Sequence, residues 1–175
     1  NSSVLNISLN PFQGLFPLAA EFTIPLCSFE DVVLAHGNAI QFGKMIKATT
    51  RKNALLSYNG YGCFCGLGGK GTPVDATDRC CHAHDCCYRR AKQRGCKNPV
   101  ITWYKYRIRK GRITCQLLKI IMCLFLLVNA SNSCKKEVCE CDRAAALCFK
   151  HTLSTYKRSY LFYPSKKCGK KKLTC

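Results

Sequence analysis

Sixteen of the 175 residues are cysteine, and four of them stand as the adjacent pairs Cys80-Cys81 and Cys86-Cys87. A chain so dense in thiols either binds metal or is stapled by disulfides. The CxxC pairs usual in zinc sites are missing, and an even count suits pairing. Extracellular disulfides are therefore the expectation, because such bonds persist only in oxidising compartments. The count leaves the connectivity open. The length suits one domain, here a cross-linked one.

The second constraint is charge. All 28 Lys and Arg residues follow position 37 and meet only six acids there, whereas residues 1–37 carry three acids and no Lys or Arg. With a formal net charge of +19, the surface concentrates polyanions. Anionic membranes, heparin-like polysaccharides, bacterial envelopes and nucleic acid are the candidate partners. No recognised nucleic-acid motif supports the last of these.

Residues 1–37 are apolar and interrupted by Pro11, Pro17 and Pro25. They end in Val32-Val33-Leu34-Ala35-His36-Gly37, which resembles the end of a secretory signal. We read them as an atypical signal- or pro-like extension outside the fold, with a mature form starting near Asn38; without an initiating Met, the chain reads as incomplete or processed. From Asn38 the spacing turns helical through Ile40, Phe42, Met45 and Ile46. A helix capped by Asp75 or Thr77 is expected to run to about Arg94 and stop at Gly95. Residues 101–115 read as a hairpin about Gly111, and a second long helix is expected from about Lys135 to Thr155. The apolar run at 116–128 is too short to span a membrane and stands where a loop is expected. The basic tail 164–175 reads as irregular, tied by Cys168 and Cys175. Asn1, Asn6 and Asn129 begin weak glycosylation signals.

Chemistry gathers on the first long helix. Asp85 is a hard oxygen ligand suited to calcium, and His84 is the side chain best placed to take a proton near neutral pH. The Gly-rich loop Tyr61-Gly62-Cys63-Phe64-Cys65-Gly66-Leu67-Gly68-Gly69 could supply backbone carbonyls to the same ion. Asp142, in Cys139-Glu140-Cys141-Asp142, could orient the imidazole if the two helices lie antiparallel. No G-x-S-x-G element is present, so water is the expected nucleophile. His82 reads as an exposed neighbour, and zinc is disfavoured.

The stretches Y-G-C-F-C-G-L-G-G-K-G-T-P at 61–73, D-x-C-C-x-x-H-D-C-C-Y at 78–88 and C-E-C-D at 139–142 together resemble the secreted phospholipase A2 family, and the basic cysteine-ended tail resembles its group II branch. The likeness covers 38–175, interrupted at 116–133 by an apolar insert. It implies a mainly α, disulfide-rich fold: two long antiparallel helices, an amino-terminal helix, a calcium loop and a small β-wing. It implies calcium-dependent hydrolysis of the sn-2 ester of phospholipids, with His84 as general base, Asp142 orienting it, and Tyr88 and Tyr104 holding Asp142. Calcium would be held by Asp85 and the carbonyls of Phe64, Gly66 and Gly68, and the Gly66 N–H would face the oxyanion. Ile40, Phe42, Met45 and Ile46 fall on the amino-terminal helix that partly lines the lipid channel.

The resemblance also implies the pairs Cys63–Cys168, Cys65–Cys81, Cys80–Cys148, Cys86–Cys175, Cys87–Cys141, Cys96–Cys134 and Cys115–Cys139, leaving Cys27 and Cys123 over. A secreted monomer acting on anionic bilayers is the expectation. Heparan sulfate-like polyanions and bacterial envelopes are further partners, with antimicrobial action a consequence. The rival reading is a non-catalytic membrane- or receptor-binding relative. Retention of both His84 and Asp85 favours the enzyme.

Overall fold

The computed structural model describes residues 38–66, 68–116, 129–171 and 173–175. The expected extension 1–37, most of the apolar insert, Cys27 and Cys123 lie outside the described residues.

Helix α1 spans Asn38–Thr50. Its buried positions are Asn38, Gln41, Met45, Ile46 and Thr50, a helical stripe that is polar at its start and apolar in its middle. Lys44 and Lys47 lie on the exposed side, and Ile40 is half exposed. Thr49 Oγ1 donates to the Ala146 carbonyl at 3.0 Å, stitching α1 to the last long helix. The helix stops where Arg51 takes φ 62°. A single turn, α2 (Ala54–Ser57), follows, and its cap Asn53 accepts from Leu56 N–H. This short element was not expected.

Helix α3 spans Ala76–Gln93. Asp75 is its cap, accepting from the Asp78 N–H at 2.8 Å. Gly95, at φ 100°, ends it, and the Cys96 N–H returns to the Ala91 carbonyl. Both ends match the expectation from sequence. The hairpin pairs β1 (Lys105–Arg109) with β2 (Arg112–Gln116). Lys110 and Gly111 both take positive φ at its turn, the twist a two-residue hairpin favours. Ile113 is buried, and Tyr106 and Ile108 are half-buried against the core.

Helix α4 spans Asn129–His151. It begins six residues before the expected Lys135 and ends short of Thr155. Its first turns hold Asn129, Ser131, Asn132 and Ser133, residue types that favour caps over helix interiors, which obscured the start in the sequence. At the other end Thr152 Oγ1 donates to the Cys148 carbonyl, and the chain tightens into a 3-10 turn at Leu153–Thr155.

Seven disulfides lock these pieces, and they are the seven implied by the resemblance. Two of them fix the central geometry. Cys80 pairs with Cys148 and Cys87 with Cys141. Seven residues forward on α3 thus match seven backward on α4, so the helices run antiparallel. The two bridges clamp them about 10 Å apart along the axis, near two turns, and His84 falls between the clamps. Tyr58, Tyr61, Phe149 and Tyr156 stack beside them as an aromatic core. Among the described residues no helix is long and apolar enough to cross a membrane.

Candidate active site

His84 Nε2 lies 2.6 Å from Asp142 Oδ1. Asp142 is fully buried, and the His84 side chain is 14 % exposed. The carboxylate is surrounded by donors: Tyr88 Oη donates to its Oδ1 at 2.6 Å, and Tyr104 Oη to its Oδ2 at 2.5 Å. A carboxylate receiving three donors is satisfied in its ionised form. Nε2 must then carry the imidazole proton, which leaves the lone pair on Nδ1. Burial, and next the Asp142 charge, push both phenols well above the ordinary tyrosine range, so they stay donors. Phe42 of α1 stacks on the His84 ring with centroids 4.6 Å apart, and Tyr88 leans against it at 4.3 Å. The imidazole thus has fixed rotation, a fixed tautomer and one free basic nitrogen, as general-base chemistry requires.

The Gly-rich loop folds over the start of α3, and Asp78 is its anchor. Fully buried, Asp78 accepts from the N–H groups of Cys63 and Phe64 at 2.8 Å and of Val74 at 2.9 Å. Gly62 sits at φ 62° directly over this carboxylate, and a Cβ there would overlap it. Cys65–Cys81 and Cys63–Cys168 tie the loop to α3 and to the tail.

The expected metal residues fit a hard cation. Among the described residues the carbonyls of Phe64, Gly66 and Gly68 accept no hydrogen bond, whereas that of Cys65 accepts from Gly60 N–H at 2.7 Å. Gly66 and Gly68 take φ 146° and 72°, backbone that a side chain resists. Asp85 is half-buried, and burial pushes its carboxyl up to about 6, offset in part by His84 and Arg89. Carbonyl and carboxylate oxygens are the hard donors that calcium takes.

The family model described as Phospholipase A2 matches residues 39–161. The chain belongs to the phospholipase A2 family. It is similar to Basic phospholipase A2 Sct-N6 of Sistrurus tergeminus, 47% identical over 144 residues covering 82% of this chain and 93% of that protein. It is also similar to the membrane associated phospholipase A2 of Cavia porcellus, 48% identical over 83% of this chain and 91% of that one. Group IIC secretory phospholipase A2 of Mus musculus is 46% identical, with 77% and 85% covered. The chain is accordingly a group II-like phospholipase A2 enzyme, a disulfide-bonded hydrolase of lipid metabolism.

Three supporting residues of this phospholipase A2 escaped the sequence. Asp78 stands in the first turn of α3, and only the folded-back loop reveals its three N–H partners. Asn38 Nδ2 donates to Tyr88 Oη at 2.7 Å and to the Pro99 carbonyl at 2.7 Å. Gln41 Nε2 donates to the Tyr104 carbonyl at 2.6 Å, and its Oε1 accepts from the Tyr104 N–H. Both α1 residues thus brace the two tyrosines that hold Asp142. The hint was their position, i and i+3 on a face otherwise expected to be apolar.

One expectation is corrected. His82 is not an exposed neighbour; it is half-buried, its ring edge-on to Phe64 at 4.7 Å. It lies one turn beyond Asp78, hence under the loop that Asp78 holds. Its Nε2 is 3.6 Å from Cys86 Sγ, but that sulfur is bonded to Cys175 and offers no thiolate.

Proposed function

We propose that the chain hydrolyses the sn-2 ester of glycerophospholipids at a membrane interface in a calcium-dependent reaction, releasing a fatty acid and a lysophospholipid. The observation that carries this reading is the fixed His84–Asp142 pair, with Asp85 next to His84 on a helix that Cys65–Cys81 ties to the Gly-rich loop. Nδ1 of His84 takes a proton from water as the water oxygen attacks the ester carbonyl. Asp142 stabilises the imidazolium that results, and Tyr88 and Tyr104 keep the carboxylate from turning. The imidazolium then returns the proton to the departing glycerol oxygen as the C–O bond breaks. The Gly66 N–H is a donor for the oxyanion. Calcium held by Asp85 and the carbonyls of Phe64, Gly66 and Gly68 would polarise the ester carbonyl and offset its developing charge.

Exposed Ile40, Leu55 and Leu56, with Lys44, Lys47 and Arg51 close by in sequence, support docking on an anionic bilayer. The seven disulfides support secretion. The test uses vesicles whose lipid carries different labels at sn-1 and sn-2. Release of the sn-2 label with calcium, and none with chelator, is expected. Release from sn-1, or an unchanged rate in chelator, contradicts the reading.

A further inference from the structure

Of the cysteines in the seven described bridges, Cys175 alone is exposed; every other one is buried or half-buried. Its partner Cys86 lies within α3 and is 5 % exposed. Residues four apart on a helix share a face, and His82 stands four before Cys86. Its Nε2 lies 3.6 Å from Cys86 Sγ. His84, two before, is taken by Asp142. Phe64 holds the His82 ring edge-on at 4.7 Å. Among the described residues no other bridge sulfur has an imidazole within hydrogen-bond reach.

Thiol–disulfide exchange needs access to the sulfur under attack and a leaving sulfur whose charge is stabilised. The Cys86–Cys175 bridge meets both needs, one at each end. Its outer sulfur faces solvent, and its inner sulfur has a potential N–H donor beside it. Cys65–Cys81 is the contrast, with both cysteines buried at 7 % exposure.

We propose that Cys175 is a thiol-exchange site, where a small monothiol forms a mixed disulfide and Cys86 is released beside His82. The thiolate of the monothiol attacks Cys175 Sγ. A new S–S bond forms there, the Cys86–Cys175 bond breaks, and its electron pair leaves on Cys86 Sγ. His82, in the tautomer with its proton on Nε2, donates a hydrogen bond to that sulfur. The proton given up by the monothiol to water is regained by Cys86 from water. The products are the mixed disulfide and one protein thiol, with no other oxidant or reductant consumed. Attack by Cys86 on the mixed disulfide restores the bridge, so the modification is reversible. The tail stays anchored meanwhile by Cys63–Cys168 and by the Thr72 N–H, 3.1 Å from the Cys168 carbonyl.

The site goes beyond the hydrolytic reading and is tested without lipid or calcium, so either can fail alone. The full chain has any free thiol blocked with iodoacetamide and is then exposed, under native conditions, to reduced glutathione. Samples are quenched with N-ethylmaleimide at intervals and mapped by mass spectrometry. Glutathione is expected on Cys175 and maleimide on Cys86, at a rate at least about tenfold above that of the other six described bridges. Glutathione on Cys86 with Cys175 free, or another of those bridges opening as fast, overturns the proposal. Two variants test the donor. His82→Phe keeps a ring against Phe64 and removes the N–H, whereas His82→Gln keeps an N–H. The first should slow exchange by about threefold or more with the unfolding midpoint nearly unchanged, and the second should recover most of the rate. Equal rates in all three proteins contradict the proposal. Should His82→Phe not fold, the map of the unaltered chain still decides which bridge opens and at which sulfur.

Discussion

Asp142 shows what a single buried carboxylate requires and what it returns. With no exposure it accepts from His84, Tyr88 and Tyr104, and each donor it loses leaves charge unsatisfied in a poorly solvated place. Tyr104→Phe should therefore lower stability by about 1–3 kcal/mol, read by denaturant unfolding, and should lower hydrolysis less than loss of His84 does. Asp85 has the opposite problem. Burial raises its carboxyl from 3.8 to about 6, so in the metal-free protein it holds its proton to a higher pH than in the unfolded chain. The contribution of this group to metal-free stability is present at low pH and lost as pH rises through about 6. Bound calcium reverses that preference, since it needs the carboxylate. Calcium affinity should accordingly be flat above about pH 7 and fall by up to roughly tenfold per unit below about 6. Isothermal titration at pH 5 and pH 8 checks this; equal affinities would contradict it.

At the scale of elements, the candidate site on α3 depends on a loop whose backbone N–H groups take their acceptor from the helix. Asp78 supplies the acceptor for three of its N–H groups. Asp78→Ala should leave those donors unpaired, at a cost of about 3 kcal/mol or more, and should weaken calcium binding at least tenfold while the helices keep their circular dichroism. Gly62→Ala should fail in the same direction, because its Cβ meets the same carboxylate. Helix α3 was legible in the sequence because its cap and stop are local: Asp75 at one end, Gly95 at the other. The disulfide pairing became legible through the family resemblance, since cysteine count alone left the connectivity open; the residues themselves offered Asp142 to His84 on the condition that the two helices lie antiparallel. The start of α4 and the role of Asp78 were not legible. The first hid among cap-type residues, and the second depends on a contact that exists only once the loop has folded back. The bracing by Asn38 and Gln41 was hidden for the same reason: the partners lie 50 and 63 residues away.

At the scale of the molecule, charge and apolar groups are distributed unevenly. Nine acids meet 28 bases, and the six acids among the described residues are held in the site, in the loop or in ion pairs. The protein should therefore bind anionic vesicles more tightly than zwitterionic ones at low salt, by about tenfold or more, and the difference should shrink as salt rises. Sedimentation with sucrose-loaded vesicles measures it, and equal binding at low salt would count against the account. The family fold supplies the scaffold on which these groups are carried.

The most direct test of the catalytic account is His84→Gln, assayed for sn-2 fatty acid release with saturating calcium. Glutamine can keep a hydrogen bond to Asp142 but has no basic nitrogen at Nδ1. The account predicts a fall in kcat of at least about a thousandfold, with calcium binding and the unfolding midpoint nearly unchanged. Undiminished hydrolysis by a folded, calcium-binding His84→Gln protein would contradict it.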